Sequence, residues 1–146
     1  MAMIARPDRD KPLRLGVLLS GGGRTLLNIL DHIRQGELNA RVAVVIASRP
    51  CPGVDRARQA GLDVHVVSAK RHPDPAARSA RIAELLDKAR VELVLLAGFL
   101  SLWEVPPRYA GRVMNIHPAL LPSFGGHGMY GHHVHEAVLA AGCKVS

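Results

Sequence analysis

The sequence predicts an α/β fold, an open, mainly parallel sheet with helices on both faces, and three observations predict it. Short apolar runs alternate with stretches of helical periodicity, the order expected of strands joined by helical crossovers. Runs such as Val42 to Ala47 are continuously apolar, as strands covered on both faces are. A glycine turn, Gly21-Gly22-Gly23, stands directly between the first run and the first helix, where such sheets accept ligands.

The first strand is Leu13 to Leu19, and Ser20 to Gly23 turns the chain sharply. Arg24 to Arg34 then sets Leu26, Leu27, Leu30 and Ile33 on one helical face, with Gly36 as the stop signal. Val42 to Ala47 is the second strand, and Pro50 to Gly53 turns into a short helix that ends near Gly61. Val64 to Val67 is a short third strand. After the polar loop Lys70 to Pro75, the segment Ala76 to Ala89 spaces Ile82, Leu85, Leu86 and Ala89 as one helix face. Val91 to Ala97 reads as a fourth strand, Gly98 to Gly111 as an irregular stretch broken by Pro106 and Pro107, and Arg112 to Ile116 as a fifth strand. His132 to Ala141 is one more helix.

With 146 residues, 48% hydrophobic and 21% charged, the chain has the proportions of one globular domain. Aromatics supply only 3%, so Leu, Val, Ile and Ala must build the core. The formal charge of +7 favours anionic partners such as phosphates and polycarboxylates. Its basic residues are scattered, with almost no aromatic interleaving, which argues against a nucleic-acid stripe. Cys51 and Cys143 are far apart with no C-x-x-C pattern, so neither a disulfide framework nor a zinc site is expected, and a reducing cytoplasm is the simplest setting. Met1 to Lys11 mixes charges of both signs without an apolar stretch; residues 1–12 read as a flexible tail rather than a signal or membrane anchor. No boundary is evident within 13–146.

A glycine turn at a helix start lets backbone N–H groups approach phosphate, so Gly21, Gly22 and Gly23 suggest an anion cradle with Arg24 and Thr25 adding donors. The same turn is equally readable as a tight connection. Neither the dinucleotide fingerprint nor a Walker lysine is present. Asn115 and His117, two residues apart on a segment stiffened by Pro118, would face one side if extended. An amide can donate to an oxyanion while an imidazole moves a proton, the equipment for acyl transfer without a covalent intermediate. The alternative is a pair satisfied by backbone at a strand end. His127, His132, His133 and His135 invite a metal reading, but on a helix His133 and His135 diverge, and no Asp or Cys completes a set with His132 and His135. No metal is expected. Cys143 reads as a buried thiol, and Trp103 as a pocket wall or a hydrophobic cap.

Five segments carry a family resemblance: VLLSGGGRTLLNIL at Val17 to Leu30, RARQAG preceded by Asp55, LLAGFL at Leu95 to Leu100, YAGRVMNIHPALLP at Tyr109 to Pro122, and HEAV at His135 to Val138. In this order and spacing the chain resembles the folate-dependent phosphoribosylglycinamide formyltransferases of purine synthesis, from about Leu13 to Ser146. The resemblance implies transfer of a formyl group from 10-formyltetrahydrofolate to the amine of glycinamide ribonucleotide. It implies that Gly23, Arg24 and Thr25 bind the ribonucleotide phosphate, that Leu100, Ser101, Leu102 and Trp103 together with Asn115 hold the folate, and that Asn115 and His117 are the catalytic pair. Arg24 departs from the family's small polar residue there, Ser101 stands where a basic residue is common, and the loop after Phe99 is shorter than usual.

The role carried over to His117 calls for a charged imidazole, and so for a nearby carboxylate. In the family that aspartate lies beyond the position matching Ser146. The resemblance therefore implies a formyltransferase domain over 13–146 that is incomplete at its C-terminal end. Such a chain is expected to have little activity alone and, with its fifth strand uncovered, to be marginally stable or self-associating. Formyltetrahydrofolate deformylase, methionyl-tRNA formyltransferase, and a non-catalytic phosphate- or folate-binding module are the alternatives.

Overall fold

The structure is a computed structural model that describes residues 11–145, so most of the expected tail, residues 1–10, lies outside the described residues. It divides into two compact units, Met1–Met114 and Asn115–Ser146, a division inside the stretch that the sequence reads as continuous.

The first unit holds β1 (Leu13–Leu19), α1 (Arg24–Arg34), β2 (Ala40–Ala47), α2 (Pro52–Gln59), β3 (Val64–Val66), α3 (Pro75–Lys88), β4 (Leu93–Leu96) and a 3-10 turn at Pro107–Tyr109. β5 (Val113–Asn115) closes the sheet in the order β3-β2-β1-β4-β5. β1 pairs in parallel with both β2 and β4, and β2 in parallel with β3. The α/β fold with a parallel sheet that the sequence predicts is thus observed.

Alternation along the central strands divides the core in two. Leu18, Val44 and Ile46 pack with Ile82, Leu85 and Leu86 of α3, together with Trp103 and Tyr109. Val17, Leu19, Val45 and Ala47 pack with Leu26 and Leu30 of α1 and Val54 and Ala57 of α2. Helices therefore cover both faces. Gly16 makes the α3 side possible, because a Cβ there would lie 2.5 Å from Leu86 Cδ2.

Local chemistry places the ends. α1 begins after Gly23, whose φ of 72° is left-handed and suits glycine. α3 begins at Pro75, one residue before the predicted start, because the Asp74 carboxylate accepts the Ala77 N–H at 2.7 Å and proline fits the first helical position. β4 is shorter than the predicted 91–97. The turn that ends α3 takes up Val91, whose N–H donates to Leu86 O at 3.0 Å, while Arg90 adopts φ 51°.

The irregular stretch after β4 is pinned by one carboxylate. Asp87 of α3 accepts from Arg108 Nη2 at 2.7 Å and from the Tyr109 hydroxyl at 2.9 Å. The Arg108 guanidinium holds this carboxyl below its ordinary value. Burial, then the hydrogen bond to Asp87, pushes the Tyr109 phenol up to about 12.

The second unit contains α4 (His132–Ala140), in which Val134 and Val138 are buried. No helix of the described residues is long and apolar enough to cross a membrane.

Candidate functional site

Strand order reverses between β1 and β4: the chain leaves β1 toward β2 and β3, then returns on its other side. Ligands of open α/β sheets bind outside the carboxyl ends of the strands at such a reversal. Two predicted segments lie there, the Ser20–Gly23 turn after β1 and the Gly98–Trp103 loop after β4.

The glycine turn is built so that its carbonyls face protein. Ser20 O accepts from Arg49 Nε at 2.9 Å, Gly21 O from the Gly53 N–H at 3.0 Å, and Gly22 O from the Arg56 guanidinium. Its N–H groups are left over. Among the described residues, none accepts from the backbone N–H of Gly21 through Leu26, and neither the Arg24 nor the Thr25 side chain makes a hydrogen bond. Unpaired N–H groups at the positive end of a helix dipole attract an anion.

Ser20 joins this turn to the loop after β4. It is 1% exposed; its N–H donates to Gly98 O at 3.0 Å, and its Oγ accepts the Leu100 N–H at 2.8 Å and pairs with Ser48 Oγ. At the other end of the loop, Ser79 Oγ of α3 accepts the Glu104 N–H at 3.0 Å, and Ser79 O accepts from Trp103 Nε1 at 3.3 Å. Among the described residues, the backbone groups of Ser101, Leu102 and Trp103 make no hydrogen bond. They are available to a ligand edge. The Trp103 indole is buried in the α3-side core against Tyr109, which favours the hydrophobic-cap reading for its side chain.

A cavity of about 1210 Å³ opens beside this loop at the β2 and β3 ends, lined by Leu100 and Ser101 and by Arg49, Arg58, Lys70, Arg71 and Arg81 against one acid, Asp55. These cations are dispersed in sequence and converge only in the fold. Ser20, Ser79 and Gly53 were likewise not singled out by sequence. A serine just before a glycine turn, at the end of a central strand, is the signal that could have revealed the first.

β5 ends at Asn115, the first residue of the second unit, so His117 lies two residues beyond regular strand. Asn115 is exposed and its amide has no partner among the described residues; His117 is half-buried. The Ala119 N–H donates to His117 Nδ1 at 3.2 Å, which places the proton of the neutral ring on Nε2. No hydrogen bond joins Asn115 to His117, and among the described residues no carboxylate pairs with the ring.

His132 and His135 are neighbours on α4, ring centroids 6.4 Å apart, and among the described residues no group of three or more potential ligands could hold a metal. Cys143 is exposed, correcting the reading of a buried thiol: it follows the turn that ends α4 and so escapes that helix's buried face.

A match to the formyl transferase family spans residues 13–146. The chain is 40% identical over 144 residues to the chloroplastic phosphoribosylglycinamide formyltransferase of Arabidopsis thaliana, which covers 96% of this chain and 48% of that protein. Glycinamide ribonucleotide transformylase 1 of Symbiobacterium toebii superposes with a TM-score of 0.79 at 39% identity, covering 91% of this chain and 62% of that one. Phosphoribosylglycinamide formyltransferase of Coxiella burnetii gives a TM-score of 0.82 at 33% identity, again over 91% and 62%. This chain thus spans about half the length of the Arabidopsis relative and under two thirds of both bacterial ones. Sheet order, glycine turn and the NIHPALLP segment are accounted for together: the chain belongs to the formyl transferase family.

Proposed function

We propose that this chain serves transfer of a formyl group from 10-formyltetrahydrofolate to the amine of glycinamide ribonucleotide, in purine synthesis. The observation that carries the reading is the glycine turn whose N–H groups have no acceptor among the described residues, tied through Ser20 to a loop whose peptide groups at Ser101, Leu102 and Trp103 are likewise unused. One segment suits a phosphate, the other the hydrogen-bonding edge of a flat heterocycle. The relatives named above bear the name of this reaction or of its ribonucleotide substrate.

In this reading the phosphate lies on the N–H groups around Gly23, Arg24 and Thr25, and Arg24 adds a charge. The pterin lies along Leu100 to Trp103. The amine attacks the formyl carbon, the carbonyl electron pair moves onto oxygen, and the oxyanion takes hydrogen bonds from the Asn115 amide and His117 Nε2–H. Collapse re-forms the carbonyl and breaks the bond to the folate nitrogen, which takes up one proton while the attacking nitrogen gives one up, so the transfer leaves the net proton count unchanged. If His117 supplies that proton, the ring must first carry a second one, at Nδ1, in place of the bond from Ala119. The two cysteines are free, which suits a reducing compartment such as the cytoplasm.

The test is His117→Ala in the complete product of the gene, assayed for formyl transfer and for binding of both substrates. The rate is expected to fall by about 10²–10⁴-fold with affinities nearly unchanged. A rate that survives the substitution overturns the catalytic role, and a chain that binds neither substrate overturns the whole reading.

A further inference from the structure

Ser20 spends all of its polar groups on holding three chain segments together. It follows the central strand β1, and its neighbours in the sheet are β2 and β4. Its Oγ meets Ser48 after β2 and the Leu100 N–H after β4, its N–H holds Gly98 O, and its carbonyl is held by Arg49. The next residue in the chain, Gly21, begins the row of N–H groups that have no acceptor among the described residues. Beyond Leu100, the loop has no backbone bond to protein among the described residues until Glu104. The sheet-proximal end of the loop is therefore held by Ser20, through its N–H at Gly98 and its buried hydroxyl at Leu100, and this residue is covalently adjacent to the anion cradle.

We propose that Ser20 is a positioning residue that couples the two segments, so that an anion on the Gly21–Gly23 turn favours the loop geometry that accepts the folate donor. An anion bonded to the turn's N–H groups restricts the Ser20 backbone, and with it the acceptor that fixes Leu100. Linkage makes the effect reciprocal: donor on the loop must tighten the anion by the same factor. The acceptor's phosphate thereby prepares the donor's seat. This rests on the function proposed above and adds a coupling to it.

The experiment measures folic acid binding to the full chain by calorimetry, with and without saturating inorganic phosphate, and follows hydrogen exchange of the Leu100 and Glu104 amides. Phosphate is expected to tighten folic acid by about 5- to 10-fold in the wild type. It should slow exchange at Leu100 more than at Glu104, which hangs from Ser79 rather than Ser20. In Ser20→Ala, and more gently in Ser20→Cys, whose thiol is a weak acceptor, the phosphate effect is expected to shrink toward onefold. Ser79→Ala should retain it. The wild-type exchange measurement stands even if the Ser20 variants do not fold. If both probes bind the wild type independently, or if Ser20→Ala keeps the full phosphate effect, the coupling is overturned while the functional reading survives. If neither probe binds the wild type, both fall.

Discussion

Gly53 lies against Gly21 so closely that a Cβ on Gly53 would come within 2.6 Å of the Gly21 carbonyl oxygen. The Gly53 N–H donates to that same oxygen at 3.0 Å, and Gly23 N would be only 3.2 Å from the added carbon. The first turn of α2 is therefore a template on which the cradle is shaped. Gly53→Ala must push the two backbones apart, at a cost of about 1–3 kcal/mol. Chemical unfolding should show that loss together with weakened phosphate binding; unchanged binding would separate the turn's shape from its anion affinity.

The Asp87 clamp should make stability depend on pH at both extremes. The Asp87 carboxyl is held below its ordinary value, so its contribution is present above about pH 4 and is lost as pH falls through the lower folded value. The Tyr109 phenol is pushed up to about 12, so its contribution is present below about pH 10 and is lost as pH rises toward 12. Because Asp87 is half exposed, Asp87→Asn is expected to cost no more than about 1 kcal/mol and to flatten the acid limb of a plot of Tm against pH. Tyr109→Phe should flatten the alkaline limb and reduce the acid one only in part, because the Tyr109 hydroxyl is the weaker of the two donors that hold the Asp87 carboxyl down.

Asp74→Ala removes the acceptor for the Ala77 N–H and should lower stability by about 1 kcal/mol. Asp74→Ser or Asp74→Asn should restore most of it. Thermal melts of the three variants measure this, and equal losses in all three would show that the cap is not what Asp74 contributes.

Leu120, Leu121 and Leu139 are more than half exposed in the second unit, as are Met114 and Leu102 in the first. Apolar side chains presented to water in this number favour association. Sedimentation of the 146-residue chain is expected to show mass rising with concentration, and Leu139→Glu, on α4, should reduce the rise. A monomer at all concentrations would contradict the expectation.

What the sequence predicts well is what local periodicity controls. α1 runs from Arg24 to Arg34 as its leucine spacing implies, and β1 from Leu13 to Leu19. Boundaries shift where a bond from outside the pattern intervenes, as when the turn after α3 takes up Val91, or Asp74 starts that helix early. The glycine turn is legible as a candidate anion segment because strand ends and glycines are written in sequence, whereas the loop after β4 reads locally as an irregular stretch and becomes a folate segment only through the family resemblance. Their connection was not legible, since Ser20 and Leu100 are 80 residues apart and nothing local ties a serine hydroxyl to a distant amide. The cationic cavity was hidden for the same reason, its arginines and lysine being scattered from Arg49 to Arg81.

Because Leu100 and Glu104 hang from serines that belong to other elements, the stretch between them carries no duty toward its own backbone. Ser101 and Leu102 project from a bridge whose piers stand elsewhere, while Trp103 alone is rooted in the core. Those two positions are expected to accept replacement like an exchangeable cassette, without rebuilding the scaffold.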